Sequence, residues 1–358
     1  MPQDSNIDQI LEGGGERYLP LFQYVLKRSN PEFAFPDNGR IRKLRQMIAA
    51  RNAFLFEELK KLLQAFDEAG IEVILLKGVM MEGIYPPGLR PFTDMDLLIR
   101  RRRLPQVIEI IFALGYRPYA PQLRPGAEDF QGAVNYVKEG EIPIMIEPHW
   151  TLGPPYPYPG RLDMEGLRER VRKADVAGVD ALILSPEDCL LHSCLHLFQH
   201  YRNAWLTSSC DIAELVYHYE DKLDWEDFLS RIFEYKLCLP VQYSLEKTFD
   251  LFKYAIPPFV LERLGRYKPG GVERQVFALL TRPGSEDSGS GVLARFLTMP
   301  VALKFRYLWL RLFPQREFML WHYNITRTKL LPFYYLLRLK DAFLTALKTL
   351  YFYFSEKR

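Results

Sequence analysis

Residues 73–100 of this 358-residue chain read VILLKGVMMEGIYPPGLRPFTDMDLLIR. The apolar run at 73–76 predicts a short buried strand, which ends at the Lys-Gly pair at 77–78. A helical pattern and then a Pro-Pro-Gly turn at 86–88 follow it. The Asp-Met-Asp segment at 94–96 then leads into a second apolar run at 97–99. The stretch therefore predicts two strands joined by a short helix and a turn.

Asp94 and Asp96 carry the chemistry of this stretch. Side chains alternate between the two faces of a strand, so both carboxylates are expected to point to the same face. Two negative charges held this close repel each other unless a cation lies between them. A divalent ion, Mg²⁺ with phosphate oxygens completing its coordination, suits paired carboxylates. The pair therefore predicts a metal site on the second strand.

A third carboxylate lies on a later predicted strand. Residues 142–147 read IPIMIE, and the sequence Pro-His-Trp follows at 148–150. Residues 133–137 precede this run, and the Glu-Gly pair at 139–140 predicts the turn of a hairpin between them. Glu147 is therefore the candidate third acid.

The order of these elements resembles the core of the polymerase-beta-type nucleotidyltransferases. In detail the chain is similar to a bacterial family of uncharacterised nucleotidyltransferases, over roughly residues 40–325. The motifs that carry the resemblance are LLKG (75–78), Tyr85, Arg90, DMDLLI (94–99), IEPHW (146–150), LLHSCLH (190–196), DIAEL (211–215) and LDW (223–225).

The resemblance implies a site for a nucleoside triphosphate. The triphosphate would lie over Lys77 and Gly78, and the charges of Lys77 and Arg90 would neutralise phosphate. Two Mg²⁺ ions would position the attacking and leaving oxygens of an in-line displacement. Their ligands would be three carboxylates: Asp94, Asp96 and Glu147. Glu147 would also help to deprotonate the acceptor hydroxyl. The identity of the acceptor is not implied.

The same resemblance suggests three further residues at the cleft: His149, His196 and Asp211. For Asp211 the alternative is an ordinary ion pair between helices. Trp150 or a tyrosine is a candidate for stacking on the base, and the alternative is an aromatic residue of the core.

Two positions depart from the pattern. Val79 follows Gly78 where the wider superfamily has a second glycine or a serine, and Glu147 stands where this branch has aspartate. Because Glu147 is longer by one methylene group, its reach to a metal differs. Both departures leave open a second hypothesis, in which the fold is kept and catalysis is lost. The chain would then be an inactive nucleotide-binding or scaffold protein.

A long helix is predicted from Ser185. Its first residues, SPED at 185–188, combine a capping serine, a first-turn proline and an acid that completes a capping box. The helix carries His192, His196 and His200 at intervals of four residues, so they share one face. Histidines at this spacing can share a metal ion. The alternatives are a polar stripe facing the cleft and core histidines with satisfied hydrogen bonds.

The expected fold class is α+β, with a small mixed β-sheet core and N-terminal helices, followed by a mostly helical domain. Long amphipathic helices, such as the one predicted at 41–66, are expected to pack on the sheet. The predicted parts are an N-terminal helical segment at 1–70, a nucleotidyltransferase-like α/β core at 71–160, a helical domain at 161–283, a flexible linker at 284–291 and a basic aromatic helical tail at 292–358.

Charge is distributed unevenly along the chain. Residues 292–358 hold 12 Lys and Arg against three Asp and Glu, whereas the remainder holds 35 against 41. Aromatic and basic residues alternate in this tail, and Lys340 and Lys348 interrupt its apolar run. Packing on the domain is one interpretation. Contact with a membrane surface, as in a peripheral membrane adaptor, is the other.

Other classes of protein are disfavoured by the sequence. No apolar run reaches the ~20 residues that a membrane span needs, and no recognised nucleic-acid-binding motif is present. The N-terminus is polar and acidic, so no signal peptide is predicted. The four cysteines form no Cys-x-x-Cys motif, which indicates a reducing, cytoplasmic setting. They are Cys189, Cys194, Cys210 and Cys238.

Overall fold

A computed structural model describes residues 15–29, 38–121, 124–154, 156–176, 178–253, 256–282 and 289–354. The chain divides into two compact units. Unit 1 comprises Met1–Arg117, Tyr136–Leu152 and Leu162–Tyr267, and unit 2 comprises Pro118–Asn135, Gly153–Arg161 and Lys268–Arg358.

Seven strands in the described part of the chain form one mixed sheet in the order β3-β4-β5-β2-β1-β7-β6. The strands are β1 (Ile74–Leu75), β2 (Asp94–Leu98), β3 (Arg117–Pro118), β4 (Tyr136–Lys138), β5 (Ile144–His149), β6 (Arg172–Asp175) and β7 (Asp180–Ile183). This sheet, with helices around it and a helical C-terminal region, confirms the predicted α+β fold class.

The centre of the sheet comes from the stretch that the sequence singled out. β1 pairs antiparallel with β2, and β2 pairs parallel with β5. In that parallel pair Asp96 lies opposite Glu147. β4 and β5 are antiparallel and form the predicted hairpin, although the two strands begin three and two residues later in the chain than expected. Two acid-bearing strands are therefore direct neighbours.

Unit 1 also contains helices. They are α1 (Leu19–Ser29), α2 (Asn38–Glu68), α3 (Lys77–Met81), α4 (Leu104–Ala113), α5 (Met164–Glu169), α6 (Pro186–His218), α7 (Trp225–Glu234), α8 (Cys238–Leu251) and α9 (Pro258–Gly265). Ser185 caps α6 as predicted, because its hydroxyl accepts a hydrogen bond from the backbone N–H of Asp188. α6 is kinked at His200, whose backbone is not helical (φ −118°, ψ 22°).

Strands β6 and β7 lie outside the part of the chain predicted as the α/β core. They form a hairpin, and β7 pairs parallel with β1, so the sheet continues beyond residue 160 into the segment predicted as helical. β6 reads RKAD, a short polar strand at the edge of the sheet, and such a strand has little hydrophobic pattern to detect.

Unit 2 is mostly helical. Its helices are α10 (Gly271–Thr281), α11 (Ser290–Thr298), α12 (Val301–Leu312), α13 (Arg316–His322) and α14 (Leu331–Phe354). Phe130 packs in one core cluster with Met299, Tyr307 and Leu310, so an early segment and the C-terminal region share this core. Short 3₁₀ turns occur in both units at Gly15–Tyr18, Arg101–Arg103, Ala127–Phe130, Pro159–Arg161 and Thr328–Leu330.

The predicted flexible linker at 284–291 falls mostly outside the described residues. Its last three residues are described: Gly289 has φ +71° and precedes α11, and Ser290 and Gly291 already belong to that helix. In the described part of the chain, no helix combines the length and the apolar character that crossing a bilayer requires.

Candidate functional site

The site lies on one face of the sheet, at the parallel pair of β2 and β5. Alternation along a strand places Asp94 and Asp96 on the same face, and it does the same for Glu147 and His149. The register brings Asp96 beside Glu147. Three acids and one histidine from two neighbouring strands are therefore gathered in unit 1.

Asp96 is the centre of this cluster. It is almost fully buried, and its Oδ1 lies 2.8 Å from Lys77 Nζ and 2.8 Å from His149 Nε2. Because an ionised carboxylate only accepts hydrogen bonds, His149 donates from Nε2. Glu147 Oε2 lies 3.3 Å from the same His149 nitrogen and 3.7 Å from Lys77 Nζ. We call Lys77, Asp96, Glu147 and His149 the acid cluster.

Lys77 reaches the cluster from the first residue of α3, directly after β1. Its backbone has φ +47°, in the left-handed region that costs a non-glycine residue roughly 1–2 kcal/mol. Strain of this kind persists only where the surrounding structure enforces it, and such positions are frequent at functional sites. The conformation holds the ammonium group against two carboxylates.

The protonation states follow from burial and neighbouring charges. Burial opposes ionisation of Asp96, but Lys77 and His149 outweigh it and hold the pKa of Asp96 well below its usual value. Burial and the charge of Lys77 lower the pKa of His149, yet its hydrogen bonds to Asp96 and Glu147 raise it overall. The pKa of Lys77 is likewise raised, because the attraction of Asp96 and Glu147 exceeds the cost of burial.

Asp94 behaves in the opposite way. Burial and the neighbouring charge of Asp96 raise the pKa of Asp94 to about 6. Its side chain takes a weak hydrogen bond of 3.2 Å from the Thr93 hydroxyl. One acid of the pair is therefore stabilised in the ionised form by its partners, and the other is not.

The three histidines of α6 lie near this cluster. Burial lowers the pKa of His192 to about 3, and the charge of Lys77 adds to the shift. The pKa values of His196 and His200 are also lowered by burial and then by Lys77. His196 Nδ1 lies 3.2 Å from the Ser208 hydroxyl, and its ring packs against that of His200 at 4.7 Å. The helix thus presents a neutral imidazole stripe.

Some buried ring nitrogens beside the cluster have no hydrogen-bond partner in the described part of the chain. They are His149 Nδ1 and both ring nitrogens of His192. Buried polar atoms are nearly always hydrogen-bonded, so exceptions call for an explanation such as a bound ion, a water or a catalytic role. The unpartnered atoms mark this face as suited to a polar ligand.

Arg90 and Asp211 contact each other and are not members of the acid cluster. Arg90 donates from Nε and Nη2 to the Asp211 carboxylate at 2.9 and 2.8 Å, and both side chains are about nine-tenths buried. Arg90 therefore makes a buried structural contact in unit 1. Its partner lies 121 residues away in sequence, so only folding brings the two together. Asp211 does form an ion pair, but its partner Arg90 lies in the segment between α3 and β2, so the pair does not join two helices.

The backbone of Gly78 is closely packed against other residues of unit 1. A Cβ atom at this position would lie 2.9 Å from Phe92 Cβ and 3.7 Å from the Arg90 guanidinium. Glycine is required here because protein atoms approach its backbone closely. Trp150 is buried, with 6% of its surface exposed.

The acid cluster fits a divalent cation. One ligand atom each from Asp96, Glu147 and His149 lie within 4.8 Å of one another. Two carboxylates and an imidazole form a donor set used by several divalent metals. Asp94, predicted as a ligand, is not in this closest group, whereas His149, predicted only as a cleft residue, is. The alternation of Glu147 and His149 on one strand was the signal that could have indicated this ligand.

Comparison with known proteins identifies a sequence family. The sequence model of a family described as "Uncharacterised nucleotidyltransferase" matches residues 16–253. Among solved structures, the chain is similar to an antigenic nucleotidyltransferase-like protein from Paracoccidioides brasiliensis, with 13% identity and a TM-score of 0.34. That match covers 64% of this chain and 95% of the other. No curated protein matches the chain.

Proposed function

We propose that this chain, which belongs to the family of uncharacterised nucleotidyltransferases, transfers a nucleoside monophosphate from a nucleoside triphosphate to an acceptor hydroxyl. The observation that supports this most directly is the acid cluster. This cluster brings together carboxylates from two adjacent strands on one face of the sheet. The chain that carries it belongs to a nucleotidyltransferase family.

Asp96, Glu147 and His149 would hold a divalent cation, which we propose to be Mg²⁺. Asp94 lies beside Asp96 and would share a second ion, as the resemblance implies. When bound, the metal would supply positive charge to the phosphate oxygens. Since His149 Nε2 carries a proton in its hydrogen bond to Asp96, ligation through this atom would release that proton. Metal affinity is therefore expected to rise with pH.

Lys77 would bind phosphate. Its ammonium lies between Asp96 and Glu147, and the residue follows β1 at the start of α3. A second cation among the same carboxylates would compete with Lys77 for them, because like charges repel. Lys77 would then be available to triphosphate oxygens, where a charge-assisted hydrogen bond is strong.

Glu147 would accept the proton of the acceptor hydroxyl. About a quarter of its side chain is exposed, whereas Asp96 and His149 are almost fully buried. A general base must reach a proton on the substrate, and exposure favours Glu147 among the three. Gly78 and Arg90 were predicted to contact the nucleotide. We retain this role for the backbone at Gly78 and propose that Arg90 acts indirectly, by supporting the turn at Gly78.

A second candidate function is favoured by one observation. Lys77 already offsets part of the negative charge of Asp96 and Glu147 with the protein's own ammonium group, as a protein that no longer binds metal would do. The chain would then be an inactive nucleotide-binding or scaffold protein of the same fold. ATP as the donor and a cytoplasmic location also belong to the first proposal. The assay below tests the donor and the acceptor class.

The test incubates the full chain with each labelled NTP, with Mg²⁺ or Mn²⁺, and with small-molecule, protein or RNA acceptors. Transfer of label that requires metal and is lost in Asp96→Asn would support the enzyme. Calorimetric titration with NTP and Mg²⁺ provides the second readout. Nucleotide binding without turnover of any acceptor favours the inactive nucleotide-binding protein. The absence of both binding and turnover contradicts the enzyme and leaves the scaffold role.

A further inference from the structure

The surface of unit 2 is unusually apolar. Of the 21 large apolar side chains that are exposed in the described part of the chain, twelve lie between Val301 and Tyr351. Isolated exposed apolar residues are normal, whereas a contiguous group indicates a binding surface. The question is therefore whether these twelve are grouped, and what chemistry surrounds them.

The exposed residues recur at helical spacing on two helices. On α14 five of the six such residues in the described part of the helix follow one another at intervals of three, four or seven residues: Phe333, Leu336, Phe343, Leu347 and Tyr351. On α12 the exposed residues follow one another at intervals of four, three and one: Val301, Phe305, Leu308 and Trp309. This spacing places each set on one face of its helix. We call these nine residues the apolar stripes.

Other side chains of α14 hold it to the rest of unit 2. The Tyr335 hydroxyl donates a hydrogen bond of 2.7 Å to the Pro314 carbonyl. Arg338 Nε donates one of 2.8 Å to the Arg311 carbonyl, and Thr349 is buried. The helix is thus anchored by one set of residues while its apolar stripe faces outward.

Basic residues accompany the apolar stripes. The segment 292–358 has a net charge of +9, with 12 basic and three acidic residues. Lys340 and Lys348 are exposed on α14 itself, and Lys304 and Arg306 lie on α12. An apolar helical face with aromatic residues and flanking Lys and Arg is the pattern of helices that lie in the interface of an anionic membrane.

A cavity in the same unit has matching chemistry. Its volume is about 610 Å³, and its walls include Phe296, Leu308, Leu312 and Phe343. Two arginines also line it, Arg311 and Arg338, and no carboxylate lies within ion-pair distance of either in the described part of the chain. Asp341, in the same wall, offsets one of these charges. An apolar space with a net positive wall suits an acyl chain with an anionic headgroup.

We propose that unit 2 docks on the surface of an anionic phospholipid membrane through the apolar stripes of α12 and α14. Burial of these side chains among the lipid chains would supply the apolar contribution, and the Lys and Arg residues would bind the headgroups. A second copy of the chain would fit less well, because two surfaces of the same positive charge repel each other. The proposal does not depend on the nucleotidyl transfer.

The test is flotation of the full chain with vesicles of phosphatidylglycerol and phosphatidylcholine, compared with phosphatidylcholine alone. The protein is expected to float with the anionic vesicles, and raised salt should weaken the binding. Phe333→Ser combined with Phe343→Ser should weaken it by about tenfold or more, since two large apolar contacts are lost. Because both residues are exposed, the variant should fold.

Matched controls separate the causes. Phe259→Ser removes an exposed phenylalanine of unit 1 and should leave binding unchanged. Lys340→Glu with Lys348→Glu should weaken binding to anionic vesicles only. Unfolding curves of every variant establish that the fold is intact.

Three outcomes would overturn the proposal. One is the absence of flotation with anionic vesicles at low salt, and another is equal binding by wild type and the double Phe variant. The third is a dimer in light scattering that the double Phe variant disrupts, without any vesicle binding. That result would assign the apolar stripes to a second copy of the chain.

Discussion

Two buried ion pairs in unit 1 differ in how completely they are balanced. Arg90 and Asp211 form a forked pair in which one guanidinium meets one carboxylate through two nitrogens. Lys77 meets Asp96 as a single ammonium beside three acids, and its own backbone is strained. In the Arg90–Asp211 pair one positive charge cancels one negative charge, so the pair stabilises the fold. The cluster around Lys77 has more negative than positive charge and can bind another cation. Ion pairs of similar burial therefore indicate different roles.

The largest expected effect is on the balanced pair. Asp211→Asn would leave the Arg90 guanidinium buried without its counter-charge, which typically costs about 3–5 kcal/mol of unfolding free energy. Denaturant unfolding at neutral pH measures this loss. Glu226→Gln, which breaks the exposed pair with Arg263, is the control and should cost less than about 1 kcal/mol.

A loss below about 1 kcal/mol in Asp211→Asn would contradict the structural role of the pair. Nucleotide affinity is measured on the same variants. If Arg90→Lys folds normally and still binds nucleotide at least tenfold more weakly, Arg90 contacts phosphate as the sequence predicted.

The next effect concerns the acid cluster. Asp96→Asn removes the residue that both Lys77 and His149 contact, and nucleotidyl transfer is expected to fall by at least ~10²-fold. The variant should also be less stable without metal, since Lys77 loses its closest counter-charge. Turnover of labelled NTP and thermal unfolding measure the two effects. Asp67→Asn, at an exposed position of α2, is the control and should change neither.

Removal of Lys77 would separate its two proposed contacts. Lys77→Ala should weaken NTP binding by about tenfold, as expected for one charge-assisted hydrogen bond. It should strengthen binding of Mg²⁺ or Mn²⁺ in the absence of nucleotide, because the competing ammonium is gone. Calorimetry with each ligand alone measures both. Weaker metal binding in this variant would show that Lys77 organises the carboxylates instead of competing for them.

The smallest effect is expected at Asp94. Its folded pKa of about 6 is above the ordinary value of 3.8, so the folded state binds more protons between these pH values. The resulting stability is complete below pH 3.8 and is lost as pH rises through about 6. Asp94→Asn removes this loss, so the variant should match or slightly exceed the stability of wild type at pH 7.5 without metal.

Thermal unfolding at pH 4 and pH 7.5, with and without Mg²⁺, checks this prediction. Wild type should melt higher with Mg²⁺, and the variant should lose most of that increase. Glu82→Gln is a matched control, because burial raises the pKa of Glu82 to about 7 and no metal role is proposed for it. The metal site would be contradicted if Asp94→Asn melted at a lower temperature than wild type at pH 7.5 and Mg²⁺ changed the melting temperature of neither protein.

Much of unit 1 was predictable from sequence because its signals are local. The apolar run and turn around Lys77, the alternation at Asp94 and Asp96, and the cap at Ser185 each depend on a few neighbouring residues. Strand β6 was missed because a short polar edge strand has no apolar pattern. The contact of His149 with Asp96 was missed because it depends on the register between two strands.

The sequence by itself determined the central strands, the acids they carry, the long helices and the positive charge of the C-terminal region. Only the tertiary structure decided that Arg90 meets Asp211, that Lys77 lies among the acids, and that Phe130 shares a core with Tyr307. It also decided that the apolar stripes of α12 and α14 remain exposed. The physical reason is that an amphipathic pattern defines an apolar face but not its partner, because the partner is set by contacts between residues far apart in the chain.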